Sequence, residues 1–297
     1  MAKVLITGIG GFTGRYLARR LTERGHDVCG LVHRAGVDLE WRAHVADLLD
    51  RGQVAEVVER ERPDAVVHLA AIAFVAHGDA SAIYQTNVVG TRNLLDVLAS
   101  SSHTPRSVLL ASSANVYGNA DREWIDESVP PAPANDYAVS KLSMEFVAKL
   151  WRERLPIVVV RPFNYTGVGQ AVNFLLPKIV SHFRSRASVL ELGNLDVIRD
   201  FSDVRTVVAA YEKLLDGAFA GETFNVCSGV GYSLQDVLAM AEELAGYRPE
   251  IRVNPNFVRA NEVRKLIGNG TKLRDAIGEL PAIPLRDTLK WMLESAA

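Results

Sequence analysis

Short aliphatic, β-branched runs alternate with longer segments of helical period through the first half of the chain. "KVLITG" (3–8) reads as a strand, and "TGRYLARRLTERG" (13–25) sets Tyr16, Leu17 and Leu21 at helical spacing before Gly25. "HDVCGLV" (26–32) is a second strand. "QVAEVVERER" (53–62) is a helix stopped by Pro63, and "DAVVHLAA" (64–71) is the strand after it. "NVVGTRNLLDVLASS" (87–101) reads as helix, "RSVLLASS" (106–113) as strand, "YAVSKLSMEFVAKL" (137–150) as helix and "LPIVVVRPF" (155–163) as strand. Strands apolar on both faces and joined through helices predict an α/β fold with a doubly wound parallel sheet over 1–163.

Beyond Pro162 the pattern loosens. "VGQAVNFLLPKIVSHFRSR" (168–186) reads as a helix with a proline inside it, and "SLQDVLAMAEELAG" (233–246) as a clean helix. These predict a smaller C-terminal substrate-binding lobe over 164–297, with about 198–217 as a stretch able to rejoin the first domain.

Composition narrows the partners. The 297 residues carry a net charge of −2, with 48% hydrophobic and 23% charged residues, so no basic field exists for nucleic acid or an anionic membrane. "MAKVLITGIGG" is broken by glycines and reads as neither a signal peptide nor a membrane span. Two cysteines are too few for a disulfide framework, and the seven histidines lack metal-ligand spacing, so no metal is expected and a reducing cytoplasm is the expected compartment.

Gly8, Gly11 and Gly14 in "TGIGGFTG" follow a strand and open a helix. There a Cβ would keep the backbone away from a pyrophosphate resting on the helix N-terminus. That context gives the sheet a Rossmann-type, dinucleotide-binding character; the glycines alone could make a plain turn. At the end of the second strand, "GLVHRAG" holds Val32 where an acid would meet a ribose 2′-hydroxyl, and then Arg34, which suits a 2′-phosphate. NADPH is therefore the expected cofactor, with NADH as the alternative.

Tyr137 and Lys141 lie four apart near the start of their helix. Read plainly, they are a half-buried ring beside a solvated ammonium; read chemically, the ammonium stabilises a phenolate and makes the tyrosine proton movable.

With "TGIGGFTG", "HLAA", "NVVGT", "ASSANVYG", "YAVSK" and "RPFN" in that order, the sequence resembles the extended short-chain dehydrogenase/reductase family that acts on nucleotide sugars. The resemblance implies a catalytic triad of Ser113, Tyr137 and Lys141, with Ser112 as a substitute one position earlier. It places Phe12, Asp47, Leu48, Ala70, Ala71 and Asn87 along the cofactor with the glycines and Arg34, and Tyr137 and Lys141 at its nicotinamide end, where Lys141 bonds the ribose. It assigns Asn164 to the sugar or diphosphate, and Arg199, Arg259 and Glu262 to the nucleotide diphosphate, where an arginine fork makes bidentate bonds. An ordinary surface ion pair of Arg199 with Asp200 is the plainer reading.

Departures from the family's patterns bear on the reaction. Dehydratases of this kind carry a Glu two places after the Ser/Thr, where this chain has Asn115. Epimerase-reductases place a Cys directly after the Ser, where it has Ala114. What remains is hydride and proton transfer at one carbon. "RPFNYTGVGQ" and "LELGNLDVIRDFSDVRTVVAAY" look most like enzymes acting on GDP-mannose-derived sugars, which implies a 4-ketoreductase of a GDP-sugar. A nucleotide-sugar 4-epimerase, a reductase of opposite stereochemistry and a non-catalytic NADP-sensing module are the alternatives. A homodimer is also expected: apolar residues surround most of the 137–150 helix, the helix carrying Leu95 is its expected neighbour, and these two helices from each subunit, with Met144 and Leu95 on their outer faces, are expected to form a four-helix interface.

Overall fold

The computed structural model describes residues 1–73, 79–258 and 263–295. In chain order the strands are β1 (Lys3–Thr7), β2 (Asp27–Val32), β3 (Arg42–Val45), β4 (Ala65–His68), β5 (Ser107–Ala111), β6 (Ile157–Pro162) and β7 (Asn164–Thr166). They continue with β8 (Val189–Leu192), β9 (Ile198–Asp203), β10 (Thr223–Val226), β11 (Gly231–Ser233), β12 (Glu250–Val253) and β13 (Lys265–Leu266). The helices are α1 (Phe12–Glu23), α2 (Arg51–Glu61), α3 (Ala80–Tyr84), α4 (Thr91–Ser100) and α5 (Asp136–Lys149), then α6 (Leu175–Arg184), α7 (Val204–Asp216), α8 (Leu234–Ala245), α9 (Thr271–Ile277) and α10 (Leu285–Glu294).

Seven strands form one parallel sheet in the order β10-β6-β5-β4-β1-β2-β3. Its interior strands carry runs of Val, Leu and Ile because helices cover both faces. On one face Val4, Ile6, Val67, Leu109 and Val160 pack with Leu17 and Leu21 of α1 and Val208 and Tyr211 of α7. On the other, Leu5, Leu31, Val66, Leu110 and Val159 pack with α2, α4 and α5. The chain runs outward from β1 through β2 and β3, then returns through β4 to β6. This reversal opens a crevice at the carboxyl ends of β1 and β4, the position where such sheets bind ligands.

Two late pieces return to this layer. Helix α7 packs on α1, and β10 pairs with β6, Asn225 opposite Arg161. The apolar run "FNVC" thus completes the sheet's edge. The remaining elements build a second core, in which α6, α8 and α10 enclose Ile179, Leu190, Val237 and Leu289 beside the pairs β8–β12 and β9–β11. The helix expected over 168–186 starts only at Leu175, so Pro177 stands in its first turn, where no backbone bond is lost.

Two other expectations change. The helix expected over 87–101 opens as a π-helical turn over Gln85–Gly90 before α4. Met144 and Leu95, expected on an outer face, are fully buried in the core between α4, α5 and the sheet, whereas Phe146 (57% exposed) and Leu150 (74%) face outward. Among the described residues no helix is long and apolar enough to cross a membrane.

Candidate active site

The glycine loop closes against the end of β4. Gly8 has a φ of +73°, and a Cβ there would come within 2.9 Å of the Ala70 nitrogen. A Cβ on Gly14 would reach 2.3 Å from the Gly8 oxygen. The loop therefore needs glycine to form, apart from any ligand. Helix α1 follows with no side chain capping its N-terminus and no acid in its first turn, which leaves its leading amides to an anion. This cradle fits a dinucleotide pyrophosphate. Phe12 supplies one of those first-turn positions, and its ring is stacked on Tyr165 and edge-on to Tyr16.

Beyond β2, Arg34 is exposed and His33 Nδ1 lies 4.0 Å from Asp47 Oδ1. Asp47 Oδ1 accepts from the Leu49 amide at 2.9 Å, and Leu48 is buried beneath. Ala70 and Ala71 line the crevice edge half-buried.

A chain of hydrogen bonds links these segments, and it passes through His68. The Ala70 amide donates to Thr7 Oγ1 at 3.2 Å, and Thr7 Oγ1 lies 2.7 Å from His68 Nδ1. On the far side His68 Nε2 lies 2.8 Å from Thr91 Oγ1, whose proton goes to the Asn87 carbonyl at 2.7 Å. With the Thr91 proton so committed, Nε2 donates, and in the neutral ring Nδ1 accepts from the Thr7 hydroxyl. Burial first, and then the Lys141 charge, push His68 down to about 3. Asn87 is buried in the π-helical turn. It accepts from the Ile72 amide at 2.9 Å and donates to Ser140 Oγ at 2.9 Å, tying the β4 end to helix α5.

Helix α5 starts at Asn135, whose side chain accepts from the Ala138 amide at 2.9 Å. Tyr137 and Lys141 are both buried, so the reading of a solvated lysine fails. Burial raises the Tyr137 hydroxyl well above its ordinary range, a hydrogen bond with Ser113 opposes this, and Tyr165 adds to the rise. Lys141 Nζ donates to the Ala111 carbonyl at 2.6 Å. Burial lowers the ammonium to about 8, against an upward pull from Glu145. Ser113 begins a 3₁₀ turn, Ala114–Tyr117, and its Oγ accepts from the Asn115 amide and side-chain Nδ2, both at 3.1 Å. Ser112 points elsewhere: its hydroxyl donates to Glu145 Oε1 at 2.5 Å. The structure thus joins Ser113, Tyr137 and Lys141 and leaves Ser112 outside the group.

Asn164 opens β7, in register with Phe201 of β9. Arg199 is buried, and its Nη1 donates to the carbonyls of Ile198 (3.0 Å) and Arg264 (3.2 Å). Asp200 faces the other side of β9, so the surface ion pair with Arg199 is not what the strand builds. Its carboxylate accepts from the amides of Ser228 (2.9 Å), Gly229 (2.8 Å) and Gly268 (3.2 Å) and from the Ser228 hydroxyl (2.6 Å). Arg259 and Glu262 lie outside the described residues.

Sequence reasoning missed Glu145 and Arg161, a buried pair joined at 2.9 and 2.6 Å directly behind Lys141. The available signal was Glu145 one turn after Lys141 on the same face.

The profile of the GDP-mannose 4,6-dehydratase family matches residues 5–292. The chain belongs to this family, within the extended short-chain dehydrogenases/reductases. Among the family's relatives, GDP-6-deoxy-D-talose 4-dehydrogenase of Aggregatibacter actinomycetemcomitans is 37% identical over 277 residues, 93% of this chain and 91% of that protein. GDP-6-deoxy-D-mannose reductase of Pseudomonas aeruginosa is 32% identical over 98% of this chain and 96% of its own. A solved protein of Burkholderia cenocepacia J2315 is 54% identical with a TM-score of 0.92, covering 98% of this chain and 97% of that one. RMD from Pseudomonas aeruginosa, solved in complex with NADPH, superposes at a TM-score of 0.85 with 32% identity over 99% and 98%.

Proposed function

We propose that this member of the family is an NADPH-dependent 4-ketoreductase that converts GDP-4-dehydro-6-deoxy-D-mannose to GDP-6-deoxy-D-mannose, also called GDP-D-rhamnose. One observation carries the reading: Ser113, Tyr137 and Lys141 meet in a buried site where Asn115, an amide without basic character, is bonded to Ser113. Such a site moves one proton at one oxygen and lacks the carboxylate that would remove a proton from a neighbouring carbon.

A bound nicotinamide supplies the hydride. The chain's own residues do the rest. Ser113 orients the 4-keto oxygen, and Tyr137 gives that oxygen its proton as negative charge develops. The high Tyr137 pKa keeps the hydroxyl protonated at neutral pH, which is the form a reductase needs. Lys141 places a positive charge beside the phenolate left behind, so the proton is lost more easily at the moment of reaction. Gly8, Gly11 and Gly14 take the pyrophosphate and Arg34 the 2′-phosphate that selects NADPH, while Arg199 with Asn164 serves the GDP end. The working form is a cytoplasmic homodimer.

The opposite stereochemistry at C4, giving GDP-6-deoxy-D-talose, is favoured as a second reading by the 37% identity to GDP-6-deoxy-D-talose 4-dehydrogenase. Both are tested by incubating the protein with GDP-4-dehydro-6-deoxy-D-mannose and NADPH and reading the H4 couplings of the product by NMR. The manno product supports the first reading and the talo product the second. An absence of NADPH oxidation rejects both.

A further inference from the structure

Three successive turns of α5 grip three consecutive residues at the end of β5. Tyr137 faces Ser113, Lys141 holds the Ala111 carbonyl at 2.6 Å, and Glu145 accepts from the Ser112 hydroxyl at 2.5 Å. Residues 137, 141 and 145 form one i, i+4, i+8 stripe, all buried. The first two belong to the proposed reaction; the third has no part in it so far.

Glu145 has both oxygens engaged. Arg161 reaches it from β6 through Nε (2.9 Å) and Nη2 (2.6 Å), and sends Nη1 to the Tyr117 hydroxyl at 3.0 Å. Tyr117 in turn donates to Asn225 Oδ1 of β10 at 2.7 Å. Strand β6 lies beside β5, Val160 opposite Ala111, so the pair is anchored at the same end of the sheet that Lys141 grips.

We propose that Glu145, held by Arg161, is a positioning residue. It fixes the register of α5 against residues 111–113 so that Ser113 faces Tyr137, and its negative charge holds Lys141 as an ammonium. The inference rests on the roles proposed above for Tyr137 and Lys141.

Stability alone does not call for this pair. A buried ion pair is often matched or bettered by apolar residues of the same volume, whereas removing one partner strands a charge. The carboxylate also takes a serine hydroxyl from the segment that presents Ser113, which packing has no use for. Among the described residues, the groups that act on Lys141 or on its partner are Glu145 on its own helix, His68 from β4 and Arg161, which reaches Glu145 from β6. His68 is neutral and Arg161 positive, so Glu145 is the negative member of this set, opposing the burial that lowers Lys141.

The test compares Glu145→Gln, Ser112→Ala and the double variant Glu145→Met/Arg161→Met with wild type, using Tyr137→Phe as a control. Turnover is followed from about pH 6 to 10, alongside melting temperature and NADPH affinity by fluorescence. Glu145→Gln is expected to lower kcat ~100-fold with KM changed less than about threefold, and to move the alkaline limb about one unit lower. The double variant should melt near wild type and recover the limb, yet keep a low kcat because Ser112 stays unheld. Ser112→Ala should lower kcat roughly fivefold without moving the limb. The proposal is overturned if kcat and limb stay at wild-type values in folded Glu145→Gln, or if the double variant regains kcat together with its melting temperature. Should Tyr137→Phe keep its activity, the reaction assignment is what fails. NADPH affinity then decides Glu145: a loss of about fivefold at pH 8 in Glu145→Gln but not in Ser112→Ala upholds its hold on Lys141, and no loss overturns it.

Discussion

Burial acts in opposite senses on the two groups at the centre of the site, raising the Tyr137 hydroxyl and lowering the Lys141 ammonium. Each shift favours the neutral form, and at Lys141 the Glu145 carboxylate pulls the other way. Tyr137→Phe keeps the packing and removes the proton. Its turnover of a 4-ketosugar is expected to fall by at least ~1000-fold while NADPH affinity stays within about twofold, measured by steady-state kinetics and fluorescence titration. A near-normal rate would remove Tyr137 as the donor. His68 makes a second prediction at this scale. Its folded pKa of about 3 lies below the ordinary 6.5, so the unfolded chain binds the extra proton. The stability it lends is complete above pH 6.5 and is lost as pH falls from there towards 3. Between pH 7 and 5.5 the loss should be about 1 kcal/mol. Chemical denaturation of wild type and His68→Gln should give slopes against pH that differ by this amount; equal slopes would refute the buried neutral ring. Tyr137 and Lys141 were legible as a pair because the i, i+4 spacing is a property of sequence. Which of Ser112 and Ser113 faces them was not, since alternation puts the two on opposite sides without saying which side the helix takes. Glu145 went unread because a helical glutamate is usually solvated, and its burial depends on Arg161 arriving from β6.

Among the elements, the glycine loop separates two demands that a motif merges. A Cβ at Gly14 would overlap the Gly8 oxygen and the Ile9 backbone at 2.3–2.7 Å, so that glycine is needed for helix α1 to close against the loop that leads into it. At Gly11 the nearest contact is 3.2 Å, which a small shift relieves, and the φ of −76° suits any residue. Gly11→Ala should therefore fold with a melting temperature near wild type yet bind NADPH at least ~10-fold more weakly, because its methyl stands over the anion site. Gly14→Ala should lose several degrees of melting temperature or fail to fold. A thermally normal Gly14→Ala that binds NADPH would contradict this division. The elements with strong period, among them β1, α1, β4, α5 and β6, were readable because both faces of the sheet are covered. Strand β3 was not, being four residues of which Arg42 and Val45 are exposed. The π-helical turn before α4 keeps the apolar spacing of a helix and differs only in which carbonyl each amide meets. Its effect is to bring the buried Asn87 to Ile72 and Ser140.

At the scale of the whole molecule, the outer face of α5 and the turn before α4 expose Phe146, Leu150 and Val89, at 57, 74 and 39%. Met144 and Leu95 lie inside, so charging them would test folding rather than association. If two copies meet through this face, Phe146→Glu and Leu150→Glu should remain folded and move the mass in light scattering from twice 32.5 kDa to 32.5 kDa. A wild type already at 32.5 kDa, or variants that stay dimeric, would exclude this interface.

The return of α7 and β10 to the first sheet has a consequence for how the chain is made. When Pro162 leaves the ribosome, six strands of the sheet exist, but the helix that covers Val67, Leu109 and Val160 and the strand that closes the β6 edge do not. At roughly 5–20 residues per second, the stretch from Pro162 to Val226 takes several seconds to follow. Throughout that interval a nascent chain presents an uncovered apolar sheet face and an unpaired strand, the surfaces by which incomplete proteins aggregate. A fragment ending at residue 163 preserves that moment indefinitely. It is expected in the insoluble fraction on expression, and supplying 164–297 as a separate chain during synthesis is expected to restore soluble, NADPH-binding protein. A soluble, cooperatively melting 1–163 would mean that the sheet is complete without its late-arriving cover.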